Sequence, residues 1–278
     1  MGDLLYVSRA VTQLRARLDA DTGIDLAAGR GLWADAVRHL PAVDRVIPTD
    51  SWDDIDGLAR SGAYARTYRA RVSEWMPWRR YFGWTWRARL ERKHLVDVLA
   101  ATCGVTLAAA DRRPLYVFDA ADPDDDPAPA SALGPYAVVA LHGFTHHEHN
   151  RVTWERLVPP LVADAERRGH RLVLVGPPGD PLPASSLVLD RRGVPIRPVA
   201  ALVRGATVVV SVLNGITVLA DALERPTVLL ALGRDPVSIV GPLRPPAATF
   251  GWPGPAGARD IDPAALVDAV ARALGAGS

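Results

Sequence analysis

The chain has 278 residues, of which 49% are hydrophobic and 23% charged, with a formal net charge of +1. Those proportions fit a globular protein with room for two modest cores, and they give no overall field that would draw nucleic acid. A single cysteine, Cys103, excludes an internal disulfide framework and fits a reducing cytosol; no apolar run is long enough to span a bilayer.

The start, "MGDLLYVSRAV", lacks the basic-then-apolar pattern of a secretory signal. Residues 4–19 carry apolar side chains at helical spacing, and "GIDLAAG" (23–29), "LWADAVRHL" and "DRVIPTD" (44–50) read as strand, helix and strand. That alternation points to a parallel sheet. Residues 52–100 are helical in pattern and dense in Trp and Arg, and "RPLYVFDA" (113–120) reads as a strand. "ADPDDDPAPASALGP" (121–135) has no periodicity and reads as a linker.

Beyond it the alternation is regular. Strands are expected at 136–143, 171–178, "GVPIRP" (193–198), "TVVVSVL" and "PTVLLAL", with helices at 152–168, "VAALVRGA", 215–224 and 262–274. Near-continuous Val/Leu strands imply a sheet covered on both faces, a doubly wound Rossmann-like domain whose ligands bind outside the carboxyl ends of the strands. The boundaries read as 1–121 for an N-terminal domain, 122–135 for the linker and 136–278 for a C-terminal domain.

Three of those strand ends carry candidate chemistry. "LNGIT" offers helix-start amides with Asn214, Gly215 and Thr217, suited to a phosphate; Asn214 as a plain N-cap is the alternative. "LHGFTHHEHNRVTW" (141–154) offers Gly143, Thr145 and Arg151 as an anion clamp. Its histidines match no helical zinc spacing and have no Cys or paired carboxylate beside them, so no metal is expected. "LVGPPGDP" (174–181) projects Asp180 as an acceptor for ribose hydroxyls. At the front, Asp3 stands in a loop before a helix, as an acidic cap or as a base able to take a proton from a hydroxyl. Trp75, Trp78, Arg79, Arg80, Trp84 and Trp86 form either a surface for an anionic partner or a half-buried aromatic face beside solvated arginines.

Taken together, these pieces resemble the bacterial heptosyltransferases, the ADP-heptose-type family-nine glycosyltransferases of GT-B fold. The family's "G-D-x-L/V" is similar to "MGDLLYV", and its "I-D-L…V-D-E-V-I-P" resembles "IDLAAGRGLWADAVRHLPAVDRVIP". Its "H-P-G…K-x-W" resembles "LHGFTHHEHNRVTW", and its "G-G-P-x-E" is similar to "VGPPGD". Its "D-[S/T]-G-x-x-H-L-A-A-A-L-x-x-P-T-V" resembles "LNGITVLADALERPTV", and "D-P…G-P" recurs as "DPVSIVGPLRP". Leu213 and Val218 stand where the signature carries Asp and His, and the sequence opens at "G-D", where the family has a strand before it: either that strand lies upstream or the sheet is one strand short.

The resemblance implies two Rossmann-like domains facing a cleft, and a metal-independent, inverting transfer from a nucleotide-diphosphate sugar to an acceptor hydroxyl. That sugar is a co-substrate, and no resident cofactor is implied. Asp3 matches the family's base and Asp180 its ribose-binding acid, while Arg151 stands near its phosphate-binding lysine, in "RVTW", which is one residue longer than the family's spacing. Asn214, Gly215 and Thr217 occupy the signature loop, and the Trp/Arg segment would receive the acceptor. The altered signature also opens a second reading, a degenerate member that binds nucleotide or partner without chemistry; a sugar-nucleotide epimerase of the same architecture is a third. The implied compartment is the cytoplasm, with or without peripheral contact at the inner membrane surface.

Overall fold

The computed structural model describes residues 2–70, 93–126, 128–142, 147–179, 181–231, 241–250 and 261–275, with backbone alone at 2–3, 128–129 and 147–153. The chain divides between Asp119 and Ala120 into two units, each with its own core.

In the N-terminal unit, α1 (Gly2–Arg15) buries Leu5, Tyr6, Val7, Ala10 and Val11 and packs on α4 (Leu95–Thr102). Tyr6 meets the buried His94 edge-on at 5.2 Å. His94 caps α4, its Nδ1 accepting from the Val96 amide, while Asp97 accepts from the His94 amide. Between these helices run β1 (Asp25–Gly29), α2 (Leu32–Ala36), β2 (Arg45–Thr49) and α3 (Trp52–Arg60). The two strands pair in parallel, from Asp25 opposite Arg45 to Gly29 opposite Thr49, so this is a βαβ unit. Ser51 and Asp54 close a capping box at the start of α3. Residues 113–120 form no strand: the Leu115 amide donates to the Ser8 hydroxyl of α1 instead of to a neighbouring strand.

The stretch read as a linker carries a 3-10 turn at Pro123–Asp125 and the short helix α5 (Ala128–Ser131). Asp125 is buried there and pairs bidentately with Arg197, itself 1% exposed. That buried ion pair fastens the stretch to the C-terminal unit.

The C-terminal unit is a parallel sheet of β3 (Tyr136–Ala140), β4 (Arg171–Leu174), β5 (Val188–Asp190), β6 (Val208–Val212), β7 (Thr227–Leu230) and β8 (Ala248–Phe250), in the order β5-β4-β3-β6-β7-β8. Its helices are α6 (His147–Arg168), α7 (Ile196–Gly205), α8 (Gly215–Ala222) and α9 (Pro263–Gly275). Strand side chains alternate between faces. Ala137, Val139, Leu172, Leu174, Val208, Val210, Val228 and Leu230 join Leu157, Leu161, Leu266 and Val270 of α6 and α9 in one core. The opposite set, Val138, Val173, Val209 and Leu229, is equally buried, and α8 packs against β6 and β7. Both faces are therefore covered, as the Val/Leu runs require.

Two local expectations change. The strand expected at 193–198 gives way to α7, which starts at Ile196 after Pro195, and the edge strand forms earlier as β5. The helix expected from 152 begins at His147 and accommodates Pro159 and Pro160. Among the described residues, no helix is long and apolar enough to cross a membrane.

Candidate functional site

Counted within the C-terminal unit, the strand order is 3-2-1-4-5-6, and it reverses between β3 and β6. Successive connections leave such a seam on opposite sides, so a crevice opens beyond the carboxyl ends of those two strands.

Asn214 closes the floor of this seam. It is the N-cap of α8, and its side-chain carbonyl accepts from the Ile216 and Thr217 amides at 2.8 and 3.2 Å. Its NH2 donates across the seam to the His142 and Ala140 carbonyls at 2.9 and 3.3 Å. The Ser211 hydroxyl lies 3.0 Å from the same Asn214 oxygen. Every polar atom of the Asn214 side chain is thus used to join the end of β6 to the end of β3.

This revises the amide cradle expected from the sequence. Two of the first three amides of α8 are satisfied by Asn214 itself, leaving Gly215 as the one that Asn214 does not bind. Thr217 is corrected as well. It is 1% exposed and its hydroxyl donates to the Val212 carbonyl at 2.5 Å, with Ser211 Oγ at 3.1 Å, so it faces the protein and not a ligand. Val218, where the resembled signature has His, is buried at 5% exposure.

The other candidates fall as follows. Asp3 lies in the first turn of α1, not in a loop before it. Arg151 lies in the second turn of α6, the helix whose N-terminus opens beyond β3. Gly143, Thr145 and Asp180 lie outside the described residues, as do Trp75, Trp78, Arg79, Arg80, Trp84 and Trp86.

Three residues at this edge were not singled out from the sequence. Ser211 is a buried hydroxyl in the middle of "VVVSV", a polar interruption that was itself a visible signal. Trp154 of α6 and Arg192 of the turn after β5 stack, the guanidinium 4.9 Å from the ring centroid. Arg192 also grips Asp190 bidentately at 2.9 and 3.1 Å, and that bond holds the Asp190 carboxyl below the usual carboxylate range.

No family model and no curated protein matches the sequence. Solved structures do match. The E. coli ADP-heptose lipopolysaccharide heptosyltransferase II is 15% identical with a TM-score of 0.71, covering 99% of this chain and 96% of that one. The E. coli heptosyltransferase WaaC with ADP is 20% identical with a TM-score of 0.63, covering 100% and 97%. TibC of enterotoxigenic E. coli, described as an iron-containing dodecameric glycosyltransferase, is 14% identical with a TM-score of 0.65, covering 100% of this chain and 74% of that one. Identities this low speak to fold. The chain has the α/β, GT-B-type fold of the heptosyltransferases.

Proposed function

We propose that this protein is a glycosyltransferase that takes a nucleotide-diphosphate sugar at the carboxyl edge of its C-terminal sheet and passes the sugar, with inversion, to an acceptor hydroxyl. The observation that carries the reading is the β3/β6 switch point, in a fold shared over nearly its whole length with an ADP-bound heptosyltransferase. In this reading the Gly215 amide, the N-terminus of α6 and Arg151 receive the diphosphate, assisted by Gly143 and Thr145, and Asp180 accepts from the ribose hydroxyls. Asn214 holds the seam and Thr217 supports it from within. Asp3 takes the proton from the acceptor hydroxyl as that oxygen attacks the anomeric carbon, and the diphosphate leaves from the opposite face. Positive charge at Arg151 and at the helix ends stabilises the leaving group. The Trp/Arg segment receives the acceptor, and no resident metal or cofactor takes part.

A second reading, nucleotide binding without transfer, is favoured by the inward commitment of Asn214 and Thr217 and by apolar Val218 at a signature position. Calorimetric titration with nucleoside diphosphates, followed by mass-spectrometric assay of the corresponding sugar nucleotides with candidate acceptors, separates the two. Binding with sugar transfer supports the transferase. Binding without transfer or hydrolysis supports the second reading, and absence of any nucleotide binding ends both. For the transferase, Asp3→Asn is expected to abolish turnover and leave diphosphate affinity intact; full turnover in that variant removes Asp3 from the reaction.

A further inference from the structure

Trp154 is 3% exposed, and its indole body belongs to the core between the sheet and helices α6 and α9. Packing explains the body but not the contacts at its rim, because three carboxyl-edge loops meet there. The indole N–H donates to the Pro181 carbonyl at 3.0 Å, at the close of the turn after β4. The Arg192 guanidinium, from the turn after β5, lies over the ring at 4.9 Å. The His142 ring, from the end of β3, tilts against it at 5.3 Å between centroids.

The turn after β4 is an expensive one to hold. Gly176 and Gly179 sit at φ of +130° and +144°, backbone that side-chain-bearing residues rarely adopt. The turn is tied at its start by the Gly193 amide, which donates to the Gly176 carbonyl at 2.8 Å, and at its close by the Trp154 N–H. A loop ordered in advance spares a ligand the entropic cost of ordering it on binding.

We propose that Trp154 is a positioning residue for the nucleotide: its indole fixes Pro181 against His142 and Arg192, so that these residues beyond β4, β3 and β5 are set before ligand arrives. This rests on the reading of that edge as a nucleoside-diphosphate site. Trp154→Phe removes the N–H donor and keeps an aromatic face. The control is Tyr136→Phe, which removes a buried hydrogen bond to the Leu202 carbonyl at the amino end of β3, far along the strand from the loops.

Both variants are to be measured for thermal midpoint and for ADP affinity by calorimetry. Trp154→Phe is expected to weaken ADP binding about tenfold, the scale of one hydrogen bond, while Tyr136→Phe lowers the midpoint but leaves affinity within about twofold of wild type. Arg192→Lys keeps the charge and loses the planar stack, and is expected to weaken ADP binding about threefold; it carries the same test should Trp154→Phe fail to fold. Unchanged ADP affinity in a folded Trp154→Phe or in Arg192→Lys, or equal weakening in Tyr136→Phe, overturns the inference alone. Wild-type protein that binds neither ADP nor any other nucleoside diphosphate overturns the reading of the site, and this inference with it.

Discussion

The two sheets of this molecule are both parallel but are held by different forces. In the C-terminal unit β3, β6 and β7 are buried at every position, and aliphatic side chains fill both faces. In the N-terminal unit β1 is buried only at Ala28 and β2 only at Thr49. Ion pairs lie along that smaller sheet: Asp25 with Arg45, Asp44 with Arg15, and Asp50 with Arg30. Apolar burial is insensitive to pH and weakens little with salt, whereas exposed pairs are screened and titrate. The larger sheet supplies a rigid edge for the candidate site, and the smaller one should respond first to acid.

The sharpest way to break this contrast is to attack the buried Arg197–Asp125 ion pair of the apolar unit. Arg197 and Asp125 are 1% and 3% exposed. Arg197→Met leaves the Asp125 carboxylate buried without its guanidinium partner, a change expected to cost about 3–5 kcal/mol. Urea denaturation followed by circular dichroism reads it directly. Asp125→Leu combined with Arg197→Met should recover part of that loss, because the Asp125 charge is then gone rather than stranded, while Asp122, 3.6 Å from Arg197 Nε, still loses its guanidinium neighbour. A double variant as unstable as the single one would mean that the pair does more than neutralise itself.

Asn214→Ala is expected to cost less, about 1–2 kcal/mol, for an N-cap and the two bonds it sends across the seam. The loss should appear as faster amide exchange in β6 and at the start of α8, with β1 and β2 unaffected. If nucleotide affinity falls by more than the change in stability explains, the seam also shapes the ligand site. Equal exchange in variant and wild type would show the cap to be dispensable.

How far the sequence carried these points follows from where each signal is stored. The long strands were legible because runs such as "YAVVA" and "VVVSV" can be buried only between two layers. β5 and β8 were not, since three residues such as "VLD" carry no period. "RPLYVFDA" has strand composition, but Ser8 takes the Leu115 amide, and that pairing spans most of the unit's sequence. At the site, Asn214 as a cap was readable from its place before a helix. The inward turn of Thr217 was not, because it depends on Val212 and Ser211 behind it on a buried strand. The stack of Trp154 with Arg192 joins a helix to a turn two strands away, which no local pattern records.

The smallest expected effect tests the contrast most directly. Asp25 is held below the ordinary carboxylate range, chiefly by the hydrogen bond from Arg45; Asp44 by the Ile24 amide and then by Arg15; and Asp50 by Arg30. A folded-state pKa below the unfolded value near about 3.9 means that the stabilisation is present above that pH and is lost as pH falls through the folded value. In the C-terminal unit, the carboxylate held low in this way among the described residues is Asp190, at the end of an edge strand. Amide exchange, corrected for its intrinsic pH dependence and followed from roughly pH 6 to pH 3, should therefore show β1 and β2 losing protection before β3 and β6. Added salt should shrink the difference, since Arg45, Arg30 and Asp50 are solvent-facing and screened. Asp25→Asn should remove part of the acid sensitivity while lowering protection of β1 at neutral pH, because the amide keeps the shape and loses the charge. Protection lost first from β3 and β6 would reverse the assignment of forces to the two sheets.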